Sequence, residues 1–208
     1  MVTPREFWNM RSGTYDQQSG EEYAKAYEKT VANTLKYLDG DDRVLEFACG
    51  TGITTVAIAP HVASVRAIDI SDEMVAKAGE KIRALGLSNV ELSHTDLFDP
   101  CLEEGSFDAV TAFNVLLYVK KRGEVLERLR SLLKPGGMFL SATDCLGEGI
   151  TRARLRKFWK SHTGSMPYVA FDSRKKLEEE VARAGFQVLE RENLFPAPPN
   201  LFLAAKKI

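Results

Sequence analysis

The segment from Val44 to Gly52 constrains the fold of this chain more than any other. It reads Val-Leu-Glu-Phe-Ala-Cys-Gly-Thr-Gly, an apolar run that reaches an acid and then turns through two glycines. Gly50 and Gly52 lack a Cβ atom, so the backbone can bend sharply there and a ligand can approach the main chain. A helical pattern follows, and the first-turn N–H groups of a helix have no intrahelical partner. The segment therefore predicts a strand, a tight loop and a helix that hold a nucleotide-like ligand.

Beyond residue 43 the chain alternates between strand and helix patterns, which is typical of βαβ units and a parallel sheet. The predicted strands are Val44–Ala48, Val65–Ile70, Val90–His94, Phe107–Phe113, Met138–Thr143, Phe186–Glu190 and Leu201–Ala205. The predicted helices between them are Thr54–Ala59, Asp72–Leu85 and Gly123–Leu133. Ser71 or Asp72 is expected to cap the second of these helices. Pro135-Gly136-Gly137 is expected to end the third and to turn the chain into the next strand.

Both ends of the chain lie outside this alternation. The N-terminal region contains the aromatic residues Phe7, Trp8 and Tyr15, followed by a predicted helix over Glu21–Leu38. The aromatic side chains either pack against the sheet edge or form a lid, and both possibilities stay open. Further helices are predicted at Ile150–Lys160 and from Asp172 or Ser173 to Ala184.

Composition argues against several classes of protein. The net charge is −1 and 27% of the 208 residues are charged, so no global basic field indicates nucleic-acid or membrane binding. No apolar run approaches the ~20 residues of a membrane span. The N-terminus lacks a signal-peptide layout, because Phe7 and Trp8 lie among charged residues. Three cysteines without metal-like spacing predict no metal site, and they favour a reduced, cytoplasmic protein.

The glycine loop does not match the dinucleotide fingerprint, which reads G-x-G-x-x-G or A. Counting from Gly50, Thr55 stands where the third small residue belongs. Glu46 precedes the turn, and a carboxylate there would repel a pyrophosphate at the helix N-terminus but would suit a ligand that carries positive charge. S-adenosylmethionine is such a ligand, with a sulfonium and an α-ammonium group. The two features favour this cofactor over a nicotinamide dinucleotide.

Five motifs, in order along the chain, resemble those of the class I S-adenosylmethionine-dependent methyltransferases. They are Val-Leu-Glu-Phe-Ala-Cys-Gly-Thr-Gly (44–52), Ala-Ile-Asp-Ile-Ser (67–71), His-Thr-Asp-Leu-Phe (94–98), Phe-Asp-Ala-Val-Thr-Ala-Phe-Asn-Val-Leu-Leu-Tyr-Val (107–119) and Leu-Leu-Lys-Pro-Gly-Gly-Met-Phe-Leu (132–140). Ala48 departs mildly from the family pattern, which often has glycine there. Each motif is weak alone, but five in order at matching strand ends are a strong signal.

The resemblance implies an α/β fold, a Rossmann-like three-layer sandwich. Its seven-stranded sheet is expected to be mostly parallel with an antiparallel C-terminal strand. One methyltransferase domain is expected over residues 1–208. Within it, residues 1–40 would form an N-terminal helical lid and residues 41–143 the cofactor-binding core. Residues 144–208 would supply an acceptor-side helix and the last two strands.

The resemblance also implies which residues bind S-adenosylmethionine. Asp69 would hold the ribose hydroxyls, Ile70 would pack on the adenine, and Asp96 would lie near the adenine amino group. The expected cofactor-binding set is Glu46, Ala48, Gly50, Gly52, Asp69, Ile70, Asp96, Leu97 and Phe113. A carboxylate at Asp69 can accept both ribose hydroxyl protons of any nucleoside cofactor, so this residue alone does not separate the candidate cofactors.

The sequence identifies the residues that bind the methyl acceptor less clearly than those that bind the cofactor. Leu117 and Tyr118 stand where many small-molecule relatives carry two histidines, and this departure removes an obvious base. Arg152, Arg156 and Lys160 share a helix face. That face is either a solvated basic surface or an attractor for an anionic acceptor. The weak candidates for a catalytic residue are Tyr118, His162 and Tyr168.

The part of the chain outside the sheet is small, and this favours a small molecule as the methyl acceptor over a macromolecule. The methyl group would be transferred by in-line displacement. Three alternatives stay open. They are a non-catalytic S-adenosylmethionine-binding subunit, an RNA methyltransferase that uses the basic helix, and a nicotinamide-dependent oxidoreductase. Membrane and nucleic-acid partners are not expected, and the sequence does not fix the oligomeric state.

Overall fold

The structure, a computed structural model, describes residues 2–208, with the side chains of residues 2–17 and 23–208. Met1, the first residue of the expected lid and domain, lies outside the described residues. The helices are α1 (Pro4–Leu35), α2 (Ile53–Ile58), α3 (Asp72–Ala84), α4 (Arg122–Leu132), α5 (Arg152–His162) and α6 (Arg174–Arg183), with short 3-10 helices at Ala59–His61 and Leu116–Tyr118. The strands are β1 (Arg43–Phe47), β2 (Ser64–Asp69), β3 (Val90–His94), β4 (Phe107–Phe113), β5 (Leu133–Asp144), β6 (Phe186–Pro196) and β7 (Pro199–Lys207).

The strands form one sheet in the order β3-β2-β1-β4-β5-β7-β6. The pairings among β1 to β5 are parallel, whereas β7 runs antiparallel to both β5 and β6. This confirms the predicted mostly parallel seven-stranded sheet with an antiparallel C-terminal strand. The strand order reverses between β1 and β4, and such a switch point opens a crevice at the carboxyl ends of the strands.

Helices cover both faces of the sheet and complete the three layers. Successive residues of a strand point to opposite faces, so Val44 and Leu45 of β1 enter different apolar clusters. The Val44 cluster includes Ile58 of α2, and it packs beneath α1 and α2. The Leu45 cluster includes Leu129 of α4 and Val181 of α6. The crevice between β1 and β4 therefore lies at the edge of a sheet whose two faces are both covered by helices.

Helix α1 is much longer than predicted. It begins at Pro4 and ends at Leu35, whereas the sequence pattern indicated Glu21–Leu38. A capping box explains the early start, because the Thr3 hydroxyl accepts a hydrogen bond from the Glu6 N–H and the Glu6 carboxylate binds the Thr3 N–H. A proline at the first helical position is also favourable. The aromatic N-terminal segment is therefore part of the same helix rather than a separate element.

The last two strands form a longer hairpin than predicted. Pairing extends outward from the expected strands until Pro196 faces Pro199 at the tip. Proline disfavours strand pairing because it lacks an N–H donor. Both prolines are tolerated because the tip needs no ladder N–H from them and β6 is the edge strand. Strand β5 also begins earlier than predicted, at Leu133 rather than Met138, with a register shift in its pairing to β4.

Two predicted caps are confirmed. The Ser71 hydroxyl accepts from the Met74 N–H at the start of α3, and the Ser173 hydroxyl accepts from the Lys176 N–H at the start of α6. Each satisfies one of the N–H groups that a helix start leaves without a partner. Within residues 2–208 no helix is both long and apolar enough to cross a lipid bilayer.

Arg122 joins α4 to α6 in a nearly buried ion cluster. Its side chain is 8% exposed, and its Nε donates to Glu180 at 2.5 Å. Its Nη2 donates to Asp172, and its Nη1 donates to the Leu116 carbonyl at 3.2 Å. Removing the central cation of such a cluster leaves its buried carboxylates only partly compensated, here by Lys176, whose Nζ is 2.5 Å from Asp172 Oδ1. The cluster therefore fixes α6 and the segment before it relative to the sheet.

We expect Arg122→Ala to lower the free energy of unfolding by about 3 kcal/mol, because Asp172 and Glu180 lose their shared cation in a low-dielectric setting. Urea unfolding followed by circular dichroism measures the loss. Lys121→Ala is the control, since Lys121 pairs with Glu124 on the exposed surface and such pairs contribute about 0–1 kcal/mol. Equal, small losses in both variants would contradict the assigned role of Arg122.

Candidate active site

The loop between β1 and α2 contains three residues with positive φ. Ala48, Gly50 and Gly52 have φ values of 60°, 56° and 78°. A Cβ atom on Gly52 would lie 3.0 Å from the Cβ of Ala78 in α3, so glycine permits close packing there. A Cβ atom on Gly50 would meet nothing within 4 Å. The main chain at Gly50 therefore borders open space that a ligand can enter.

Asp69 connects the end of β2 to this loop. Its Oδ2 accepts a hydrogen bond from the Gly50 N–H at 2.9 Å, and its Oδ1 accepts one from the Ser71 N–H at 2.8 Å. Asp69 is 7% exposed, and burial raises the pKa of its carboxyl, although the N–H donors of Ser71 and Gly50 oppose the shift. A carboxylate oxygen can accept more than one hydrogen bond, so Asp69 keeps capacity for the hydroxyls of a ribose.

Glu46 lies beneath the loop and is 2% exposed. Its Oε1 accepts from the Thr54 hydroxyl and its Oε2 from the Thr55 hydroxyl, both in the first turn of α2. Thr55 is the residue that replaces the third small residue of the dinucleotide fingerprint, and here its hydroxyl binds Glu46. Burial raises the pKa of Glu46 to about 7, although the two hydroxyls act to lower it. Both oxygens are thus engaged with α2, and a direct contact of Glu46 with the cofactor stays a prediction.

The other expected cofactor residues lie at neighbouring strand ends. The carboxyl ends of β3, β2, β1 and β4 meet along one edge of the sheet. Asp96, after β3, is exposed, and its Oδ1 accepts from the Phe98 N–H at 2.7 Å. Ile70 is half-buried, whereas Leu97 and Phe113 place their side chains in the apolar clusters. The structure thus brings Ile70 and Asp96 to the accessible edge and leaves Leu97 within the core.

The N-terminal half of α1 contacts both loops of this edge. Asn9 accepts from the Ser71 hydroxyl at 2.6 Å and donates to Asp72 at 2.9 Å, at the start of α3. Asp16 accepts from the Thr51 hydroxyl at 2.5 Å, in the glycine loop. These contacts are polar and partly solvent-accessible, so they hold α1 over the strand ends without adding to the apolar core.

A cavity of about 420 Å³ opens next to these loops, where β4 and β5 end. Asn114 follows β4, Asp144 ends β5 and Asn200 belongs to β7, and all three line the cavity. We call it the aromatic cavity, because its wall includes Phe7, Trp8, Tyr15, Tyr23, Tyr27 and Tyr118. Its basic lining residues are Arg11, Arg156, Lys157 and Lys160.

A polar network forms part of the wall of the aromatic cavity. The Asn200 amide donates to Asn114 Oδ1 at 2.8 Å and to Asp144 Oδ1 at 2.9 Å. Lys157 Nζ binds Asp144 Oδ2 at 3.2 Å and lies 5.5 Å from the ring centre of Tyr118. Burial acts to lower the pKa of Lys157, but Tyr118 and Asp144 outweigh it and raise the pKa. Lys157 is therefore a hydrogen-bond donor in this site rather than a base.

The structure separates the three catalytic candidates. Tyr118 lines the aromatic cavity, with its ring 5.1 Å from that of Trp8 in an edge-on arrangement. His162 is exposed on the last turn of α5, where Nδ1 is 2.8 Å from the Phe158 carbonyl oxygen. Tyr168 lines a separate groove beside α4 and α6. Neither His162 nor Tyr168 lines the aromatic cavity, so Tyr118 is the one of the three candidates that the structure brings to it.

Several lining residues escaped the sequence analysis. Asn114 directly follows Phe113 within the fourth motif, so its position at a strand end was a signal that could have identified it. Asp144 and Asn200 lie on different strands and carry no local pattern. The lining residues that the sequence did not assign to a site include Arg11, Tyr23, Tyr27, Asn114, Asp144 and Asn200.

Known proteins resemble this chain in sequence. Residues 44–137 match a family described as a methyltransferase domain. The demethylmenaquinone methyltransferase of Bacillus cytotoxicus is 34% identical over 116 residues, which cover 54% of this chain and 48% of that protein. A highly reducing polyketide synthase of Phaeosphaeria nodorum is 30% identical over 189 residues, covering 83% of this chain and 6% of the synthase. The chain thus spans less than half the length of the Bacillus protein.

Solved structures share the fold. Phosphoethanolamine N-methyltransferase 2 of Haemonchus contortus, in complex with S-adenosyl-L-methionine, superimposes with a TM-score of 0.80 at 19% identity. The match covers 100% of this chain and 60% of that one. At such low identity the likeness concerns the fold alone, and it confirms the Rossmann-like architecture predicted from the motifs.

We expect the stability of the cofactor-free protein to fall as pH rises through about 7. The pKa of Glu46 is raised from its ordinary value of 4.5 to about 7, so the folded state binds more protons than the unfolded state between these values. The stabilisation is fully present below pH 4.5 and is lost above about 7, on the order of 3 kcal/mol in total.

Urea unfolding at a series of pH values measures this effect. Glu46→Gln removes the titrating group, so its stability should fall less between about pH 5 and pH 8. Glu127→Gln, which changes an exposed carboxyl of α4, should follow the wild type. A wild-type profile that Glu46→Gln leaves unchanged would assign the pH dependence to another group.

Ala48→Gly should stabilise the protein by about 0.5–1 kcal/mol. A residue with a Cβ atom pays roughly 1–2 kcal/mol in the left-handed region, and this exceeds the entropy that glycine adds to the unfolded chain. Ala57→Gly, within α2, should instead destabilise by about 1 kcal/mol. Thermal unfolding of the two variants measures the contrast, and losses of equal size would rule out strain at Ala48.

Proposed function

We propose that this chain, which resembles the class I S-adenosylmethionine-dependent methyltransferases over residues 44–137, transfers a methyl group to a small-molecule acceptor in the aromatic cavity. The observation that carries this proposal is the junction of β1 and β2. There the Asp69 carboxylate binds the Gly50 N–H beside open space, and the aromatic cavity opens at the adjoining end of β4. The resemblance to methyltransferases argues against the nicotinamide-dependent alternative.

The residues of the loop fit S-adenosylmethionine by their chemistry. Asp69 offers carboxylate oxygens to the ribose hydroxyls, Gly50 allows the backbone to approach the ligand, and Ile70 offers an apolar surface to the adenine. Asp96 is exposed at the next strand end, within reach of the same edge. The buried negative charge of Glu46 and Asp69 favours a cationic ligand over a pyrophosphate.

S-adenosylmethionine supplies a methyl group on a good leaving group, which the acceptor displaces in line. The chain has mainly to align the acceptor and to exclude water. Helix α1 suits this task as a lid, because Asn9 and Asp16 hold it to the loops after β2 and β1. Tyr118 is the candidate for a base or an acceptor contact, since it lines the cavity.

The shape of the cavity favours a small molecule over RNA. Arg156 and Lys160 line the aromatic cavity instead of extending a flat basic surface that could follow a phosphate backbone. A volume of about 420 Å³ falls in the range of roughly 300–1,000 Å³ that small-molecule sites occupy. The Bacillus relative, named for demethylmenaquinone, also has a small-molecule acceptor.

Asp69→Asn should weaken binding of S-adenosylmethionine about 10- to 100-fold, because hydrogen bonds to a charged acceptor contribute roughly 1.5–3 kcal/mol. Isothermal titration calorimetry measures the affinity. Asparagine keeps one acceptor oxygen for the loop N–H groups, so the fold should persist, and circular dichroism checks this.

Glu73→Gln is the matched control, because Glu73 is an exposed acid in the first turn of α3. Its affinity should equal that of the wild type. No binding by the wild-type protein at millimolar cofactor would reject the proposed function. Equal affinity of Asp69→Asn and wild type would reject only the site assignment. Transfer of a labelled methyl group by the isolated chain would separate an enzyme from a non-catalytic binding subunit.

A further inference from the structure

Helix α5 lines the aromatic cavity with basic side chains, and two of its apolar side chains are exposed. Arg156, Lys157 and Lys160 line the cavity, whereas Leu155 and Trp159 are 49% and 65% exposed. A surface helix of a globular protein ordinarily has the reverse arrangement, with its apolar stripe inward. Arg156 and Lys160 are exposed and also line the cavity, so they form a basic rim that attracts a negatively charged group to it.

The charges of the cavity do not balance among the described side chains. Lys157 is paired with Asp144 at 3.2 Å. Among the described residues that line the cavity, Asp144 is the only one with a carboxylate. Arg156 and Lys160 form no ion pair with any side chain that the structure describes. Four residues apart on a helix, their Cβ atoms are roughly 6 Å from each other. Both cations can therefore bind one carboxylate or phosphate group.

The rest of the wall favours a flat apolar ligand. Trp8 packs edge-on against Phe7, Tyr15 and Tyr118, with ring centres 5.0, 6.1 and 5.1 Å apart. Aromatic pairs prefer offset-stacked or edge-on geometry over a face-to-face sandwich, and a ligand ring in the cavity can pack on these side chains in the same way. An aliphatic polar acceptor would leave this surface without a complementary partner.

We propose that the methyl acceptor is an aromatic acid, whose ring packs against Trp8 and Tyr118 and whose carboxylate or phosphate group is bound by Arg156 and Lys160. The inference rests on the proposed function and names the substrate class of the same site. Arg156 and Lys160 are then specificity-determining residues. They select the acceptor and leave binding of the methyl donor unaffected.

Binding of three acids to the cofactor-free protein tests the proposal. The probes are benzoate, naphthoate and phenyl phosphate, each compared with the neutral alcohol of the same ring system, benzyl alcohol or naphthalenemethanol. Calorimetry and quenching of tryptophan fluorescence measure the affinities. At least one acid should bind about tenfold or more tightly than its neutral partner. Benzoate against phenyl phosphate shows which acidic group is preferred.

Charge reversal on one helix supplies the matched variants. The double variant Arg156→Glu with Lys160→Glu should abolish the preference for the acid. Arg152→Glu should keep it within about twofold, because Arg152 lies on the same helix but does not line the cavity. The milder double variant Arg156→Gln with Lys160→Gln should give an intermediate loss. Thermal unfolding checks that each variant is folded.

Two results would overturn the proposal. One is that no acid binds better than its neutral partner to the wild-type protein. The other is that the Arg156→Glu and Lys160→Glu variant binds S-adenosylhomocysteine more weakly than wild type, because the two cations would then serve the carboxylate of the cofactor. Failure of the wild-type protein to bind S-adenosylhomocysteine would instead contradict the proposed function, and the acid preference is measured independently of it.

Discussion

A buried carboxylate that binds the first turn of a helix is the constraint on which this structure depends. Glu46 ends the apolar part of β1, and its bonds to Thr54 and Thr55 fix α2 against the sheet. The intervening loop is thereby held at both ends, and Asp69 fixes it from the side through Gly50. Burial raises the pKa of both acids, and the charge of Asp69 adds to the shift at Glu46. A cationic ligand beside them would relieve the cost of burial.

The sequence predicted the elements whose signals are local. Two kinds of signal were local: the ends of strands before glycine turns, and the starts of helices at Ser71 and Ser173. Each depends on residues within one or two turns of each other, so it can be recognised without tertiary information. The start of α1 was missed although its signal is equally local. Thr3 and Glu6 form a capping box, and Pro4 occupies the first helical position. The aromatic residues that follow are equally compatible with a lid or with core packing, and neither requires a helix that begins at Pro4.

The aromatic cavity could not be predicted in the same way. Asn114, Asp144 and Asn200 come from three strands and meet only because β7 inserts between β5 and β6. Periodicity showed that α5 has a basic face, but not that this face borders a cavity. That choice depends on what the rest of the fold leaves open beside the helix. The sequence motifs therefore predicted the cofactor-binding loop, whereas the lining of the aromatic cavity could be identified only in the assembled structure.

The origin of the cavity walls has a consequence for how such proteins diversify. The segment matched by the methyltransferase domain family, residues 44–137, carries the glycine loop, Asp69 and Asp96. The walls of the cavity come largely from α1, α5 and β7, outside or at the margin of that segment. Under the proposed function, replacement of the two ends would change the methyl acceptor while the cofactor-binding segment is inherited intact. Selection can act on the two halves of the reaction separately.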